Sequence, residues 1–148
     1  MGEIMRRKAM MYFAAVLIII VTTLAFVIFA KGETEAENVA FLKSYGWEVS
    51  ENAVEKAEVV IPEPFDDVYD NYNKIQLSAG LDLRPYKGME GVRYTYIVEN
   101  YPKDTGCEVR ANIICINDEP VAGDIMTVNI NGFMHSLRFE DAFGSISK

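Results

Sequence analysis

From Ala9 to Ala30 the chain reads AMMYFAAVLIIIVTTLAFVIFA, without a charge, and Thr22 and Thr23 are its most polar members. At about 1.5 Å per residue this run spans roughly 33 Å, enough to cross a hydrocarbon core of about 30 Å. Lipid offers the backbone no hydrogen-bond partners, so a spanning run must be helical, and a helical threonine can return its hydroxyl to a carbonyl one turn back. Past this run the pattern becomes that of a small soluble domain. Thr34 as N-cap, with Glu37 three residues on, predicts a helix over about 35–45. That helix carries Val39, Leu42 and Tyr45 on one stripe, Phe41 at its margin, and Gly46 as its stop. Trp47 and Val49 alternate around Glu48 in a short extended piece. Ala57 to Ile61 is rich in β-branched residues and halts at Pro62 and Pro64.

Phe65 opens a second soluble helix, in which Phe65, Val68, Tyr69, Tyr72, Ile75 and Ala79 follow helical spacing up to Gly80. Asp66, Asp67 and Asp70 fall in its first turns, where carboxylates suit the helix dipole. Leu81 to Gly91, punctuated by glycine and proline, reads as a loop. Strand alternation follows. Val92, Tyr94, Tyr96 and Val98 share one face, and Cys107, Val109, Ala111, Ile113 and Cys115 share a face of the next strand. Asn117-Asp118-Glu119-Pro120 turns the chain into a third strand, Val121 to Ile130, with a bulge or bend expected at Gly123-Asp124. Asn131-Gly132 predicts a two-residue type I′ hairpin turn into a fourth strand carrying Phe133, Leu137 and Phe139. The expected architecture is α+β: an N-terminal transmembrane helix, then two helices laid on one face of an antiparallel β-meander sheet.

Charge gives this layout a direction. Arg6, Arg7 and Lys8 precede the apolar run, whereas Lys31 is followed by Glu33, Glu35 and Glu37. The basic excess predicts a cytoplasmic tail at 1–8, a transmembrane helix at 9–30, a linker at 31–36 and an extracytoplasmic domain at 37–148. A cleavable signal peptide fits less well, because the run is long and Ile28, Phe29 and Ala30 make a poor cleavage site. Three basic groups and one acidic group lie in residues 1–30, so of the chain's net −8 the remainder carries −10. Such a domain is repelled by anionic lipid and lacks the basic stripe that nucleic acid requires.

A set of short strings resembles a known family: GWEV at Gly46–Val49, IPEPF at Ile61–Phe65, YDNYNKIQ at Tyr69–Gln76 and GLDLRPYKG at Gly80–Gly88. RYTY at Arg93–Tyr96, NYP at Asn100–Pro102, VRAN at Val109–Asn112, Gly123-Asp124 and GFMH at Gly132–His135 complete it. Together they resemble a family of short, membrane-anchored bacterial proteins known as a domain of unknown function, numbered forty-eight thirty. The resemblance runs roughly from Glu37 to Phe139. The chain departs from it at Ala122, where a glycine is expected. What the resemblance implies is an anchored extracytoplasmic domain of Gram-positive-type bacteria, without an assigned activity, substrate or catalytic residue.

Few residues point to chemistry. Cys107 and Cys115 stand eight apart in one expected strand, roughly 26 Å at about 3.3 Å per residue. A disulfide needs Cα atoms about 4.4–6.8 Å apart, so the pair reads as two small buried hydrophobes. An intermolecular bridge stays open if Cys107 lies at an exposed strand end. His135, the single histidine, reads as a sheet-edge side chain with a local hydrogen bond, with no partners for a zinc site. Asp66, Asp67, Asp70, Asn71 and Asn73 lack the alternation and central glycine of a calcium loop. No cofactor is expected. Arg84 and Tyr86, on the loop, are the candidate binding residues, since arginine and tyrosine are favoured at binding hot spots.

The sequence therefore reads as a single-pass membrane protein whose exported domain is a non-catalytic binding or sensing module at the cell envelope. Its expected partners are the lipid bilayer through residues 9–30 and another envelope or membrane protein, not nucleic acid. The alternatives are an envelope-acting hydrolase using His135 with an acidic residue, and a structural anchor subunit. The apolar run holds no small-xxx-small glycine motif to favour the anchor.

Overall fold

The structure is a computed structural model that describes residues 2–129 and 131–144. Helix α1 is Gly2–Ser44. The chain divides into two compact units, Met1–Thr34 and Glu35–Lys148. The boundary falls inside the expected linker, but those residues have helical backbone, and the helix expected to begin after Thr34 is the last part of α1.

In the first unit, Met10–Val27 is apolar enough and long enough to cross a membrane, a test that a signal sequence also meets. Every side chain from Met10 to Val27 is exposed. Thr22 donates its hydroxyl to the carbonyls of Ile18 and Ile19, and Thr23 to those of Ile19 and Ile20, at 2.9–3.0 Å. Both threonine hydroxyls are thus satisfied within the helix itself.

The second unit is an antiparallel meander of five strands, in the order β1-β2-β3-β4-β5. The strands are β1 (Glu55–Val60), β2 (Glu90–Ile97), β3 (Val109–Ile116), β4 (Glu119–Thr127) and β5 (Met134–Ser136). The α+β architecture and its meander are those the alternation implies, and Val49 adds a bridge to Val98. Helix α2 is Asp67–Ser78, and α3 is Asp141–Gly144. Phe65 lies outside α2, because Asp66 is the N-cap and its carboxylate accepts the Tyr69 N–H at 2.8 Å.

The helices do not share a face of the sheet. Leu42 of α1 packs with Tyr94, Tyr96, Ala111, Ile113, Cys115 and Ile125 on one face. Phe65 and Tyr72 pack with Ile114, Ile116 and Ala122 on the other. The predicted apolar stripe of α2 is also displaced. Val68 is 72% exposed, and the buried positions are Asn73 and Gln76.

The turns and strand ends differ from expectation in several details. Asn117 and Asp118, with φ of 52° and 64°, form the two-residue turn between β3 and β4. Type I′ geometry requires positive φ at both central residues, and asparagine and aspartate tolerate it. Gly132 has no such φ; a Cβ there would sit 2.2 Å from the Thr127 hydroxyl, so glycine serves close approach rather than a positive φ. Strand β4 ends at Thr127, and Ile130, the expected end of that strand, lies outside the described residues. The register shifts where Ile114 pairs Ala122 but Cys115 pairs Pro120, which puts the extra residue at Val121 rather than at Gly123-Asp124. The fourth expected strand is only Met134–Ser136, so Phe133, Leu137 and Phe139 flank it.

Candidate functional site

The antiparallel register assembles one groove from residues far apart in sequence. Glu58 pairs with Val92, and Val92 with Cys115; Val60 pairs with Glu90, and Lys56 with Tyr94. Alternation along each strand then sends Glu58, Val60, Glu90, Val92, Tyr94 and Cys115 to the same face. At the end of β3, the Asn117-Asp118 turn closes the row. The resulting pocket holds about 410 Å³ and is lined by these residues except Lys56.

Its electrostatics are one-sided. Glu58, Glu90 and Asp118 contribute three carboxylates, and among the described residues none has a basic partner. Lys56, the nearest cation in β1, is committed elsewhere: it pairs with Glu35 and lies 4.8 Å over the Tyr94 ring. Burial pushes the Tyr94 hydroxyl above its ordinary range, with Cys115, Asp118 and Glu35 adding to the shift. The Cys115 thiol is pushed up to about 12, by burial first and then by Asp118. It donates to Asn38 Oδ1 at 3.2 Å. Cys115 is therefore packing, not a nucleophile.

On the opposite face a polar row crosses the sheet. Thr95 pairs with Asn112, Asn112 with Asp124, and Asp124 with Ser136. Thr95 donates to Asn112 Oδ1 at 2.8 Å, and Asn112 Nδ2 donates to Asp124 Oδ1 at 2.9 Å. Tyr72 of α2 donates its hydroxyl to Asp124 Oδ2 at 2.8 Å. Gln76 Oε1 accepts the Gly123 N–H at 2.8 Å, just where β5 has ended. Asp124 is 2% exposed, and burial raises its carboxyl against the lowering pull of Asn112, Tyr72 and Arg93. This row braces helix against sheet; it presents nothing to solvent.

Arg84 and Tyr86 lie together on a 3-10 turn but not at the groove. The Arg84 guanidinium grips Asp82 in a fork, Nε at 2.9 Å and Nη2 at 2.7 Å. Hydrogen bonds from Arg84 hold the Asp82 carboxyl well below the usual carboxylate range. Asn73 fixes the same turn by donating to Asp82 and accepting the Leu83 N–H. The Tyr86 ring packs on the cluster of Ile61, Leu83 and Ile114. Beyond this pairing the Arg84 side chain stays largely exposed.

His135 has the local bond expected of it. Its Nδ1 contacts the Ser136 carbonyl at 2.8 Å, so Nδ1 carries the proton, and neutral Nε2 accepts the Tyr101 hydroxyl at 3.2 Å. Burial lowers its pKa. Cys107 lies before β3, partly buried beside Thr105, and both cysteines are free thiols. Among the described residues, no group of three or more histidine, cysteine, aspartate or glutamate side chains is placed to hold a metal ion.

A family model described as Domain of unknown function (DUF4830) matches residues 41–125. The chain belongs to that family. The DUF4830 match takes in every residue of the groove and the polar row as far as Asp124, and stops before β5 and His135. No curated protein and no solved structure matches the chain.

The groove residues were not singled out in the sequence, because Glu58, Glu90 and Asp118 become neighbours only through strand register. The one available signal was charge: carboxylates placed on or beside expected strands.

Proposed function

We propose that this is a single-pass membrane protein whose domain stands outside the cytoplasm as a non-catalytic binding or sensing module at the cell envelope. The groove of Glu58, Glu90 and Asp118 around Val92 and Tyr94 carries this reading, since carboxylates that have no basic partner among the described residues, set beside an apolar floor, suit a ligand rather than the fold. The topology follows from Arg6, Arg7 and Lys8 before the apolar run. Support for a non-catalytic role comes from how the reactive groups are engaged: both His135 nitrogens are bonded, Cys115 is protonated, and Asp124 is sealed. The partner is another envelope or membrane protein.

Two measurements test this. Protease added to intact protoplasts should remove the domain, and a protected domain would overturn the topology. A photocrosslinking side chain at Val60, 58% exposed at the groove, should capture a discrete partner in native membranes. The same probe at Val68, 72% exposed on α2, should not. Equal capture at both sites, or none, would overturn the binding reading.

A further inference from the structure

β1 is an edge strand: β2 pairs with it on one side, and among the described residues no strand pairs on the other. Its register shows which backbone groups are left over. Ile61 donates its N–H to Met89 O. Because antiparallel pairs alternate between bonded and unbonded, Glu55, Ala57 and Val59 share that bonded phase with β2. The N–H and C=O groups of Lys56, Glu58 and Val60 therefore point outward. Those three residues also carry their side chains on the groove face, and Glu58 and Val60 line the pocket.

We propose that the outer edge of β1 takes up an extended, basic segment of a partner protein, which adds a strand to the sheet and sets its cationic side chain in the groove. This rests on the binding reading above and names its ligand. The main-chain groups of Lys56, Glu58 and Val60 supply affinity for an added strand, and alternate side chains supply specificity. An added strand places residues two apart on the groove face. A lysine or arginine fits opposite Glu58, near Glu90 and Asp118, and an apolar residue fits opposite exposed Val60. Charge decides among occupants. A second copy pairing through β1 would bring two sets of these carboxylates together, and an anionic lipid surface is repelled by them. Charged edge strands also guard against indiscriminate pairing, so this edge excludes acidic and purely apolar strands while admitting a basic one.

The test uses the full chain in neutral detergent micelles and a fluorescent nonapeptide repeating Lys-Thr-Val-Thr. Fluorescence anisotropy should show it binding on the order of tenfold more tightly than its Glu-for-Lys counterpart, with affinity falling as salt rises. Glu58→Lys and Glu90→Lys should each weaken binding several-fold. Glu58→Pro, which removes an outward N–H but no β1–β2 bond, should abolish it while far-UV circular dichroism stays unchanged. A peptide N-methylated at alternate residues should also fail to bind. Equal binding of the Lys and Glu peptides, or indifference to Glu58→Lys, would overturn the proposal. So would a dimer in sedimentation that Glu58→Pro dissolves, since the occupant would then be a second copy. If crosslinking from Val60 persists while the peptide does not bind, the added strand is refuted and the binding reading survives.

Discussion

The hydroxyl of Tyr72 donates to the carboxylate of Asp124 across 2.8 Å, and through it helix α2 is bonded to the centre of a sheet face. Burial pushes the Tyr72 hydroxyl well above its ordinary range and raises Asp124 as well, so both groups resist charging. Tyr72→Phe removes the donor and leaves one carboxylate oxygen without it. The expected cost is about 1–3 kcal/mol, read by urea unfolding of the full chain in micelles. Asp124 also sets a pH dependence. Its folded pKa is raised, so its contribution is complete below the unfolded value of about 3.9 and is lost as pH rises through the folded value. Asp124→Asn should remove that part of the decline in stability; an unchanged profile would show that Asp124 does not titrate in this way.

Gly123 tells a steric story beside this electrostatic one. A Cβ there would meet Leu137 Cδ1 at 2.7 Å and the backbone oxygen of Asn112 at 2.8 Å. Gly123→Ala should destabilise the fold by about 1–3 kcal/mol through overpacking. Gly80→Ala is the contrasting case: its Cβ meets nothing within 4 Å, and its cost comes from φ of 79° alone. A crystal structure of the Gly123→Ala chain with Leu137 unmoved would contradict the steric account.

Trp47, the sole tryptophan, reports on His135. Its ring stacks on Tyr101 at 7° interplanar angle and lies 6.0 Å from the His135 ring. Burial lowers the His135 pKa, so the fluorescence change on protonation should have its midpoint below the ordinary value of about 6.5. The sign for stability is opposite to that of Asp124. His135 contributes stability at pH values above about 6.5, and this is lost as pH falls through the lower folded value. His135→Phe should abolish the fluorescence transition.

The two thiols should differ in reactivity. Cys107 is partly exposed, whereas Cys115 is 3% exposed and its pKa is pushed up to about 12. A thiol reagent added to the folded chain at neutral pH should modify Cys107 first and reach Cys115 only as the domain unfolds. Mass mapping of the labelled peptides checks this, and early labelling of Cys115 would refute its burial.

The faces of β2 and β3 were legible in the sequence because their apolar residues alternate: Val92, Tyr94, Tyr96 and Val98, then Ala111, Ile113 and Cys115. Helix α2 was legible as a helix but not in its orientation. Periodicity follows apolar side chains, whereas Asn73 and Gln76 are buried to bond a loop and the open N–H of Gly123. Asn131-Gly132 outscored Asn117-Asp118 as a hairpin signal because glycine takes positive φ freely. The tight fit against Thr127, which explains Gly132, is a tertiary fact. Arg84 is legible as a surface arginine, whereas its fork on Asp82, two residues away, is a local geometry that residue type alone does not show. The groove was invisible for a related reason: it is a product of register across three strands.

The meander itself has a consequence for assembly. Each strand pairs with the one made just before it, so hairpins can close in sequence as the chain emerges, with little search over distant partners. Long-range side-chain bonds depart from that economy. The indole N–H of Trp47 donates to the carbonyl of Leu137 at 2.6 Å, across 90 residues. Only when the segment at Leu137 has arrived can the Trp47 indole make this bond, so its ring acts as a clasp that is fastened late.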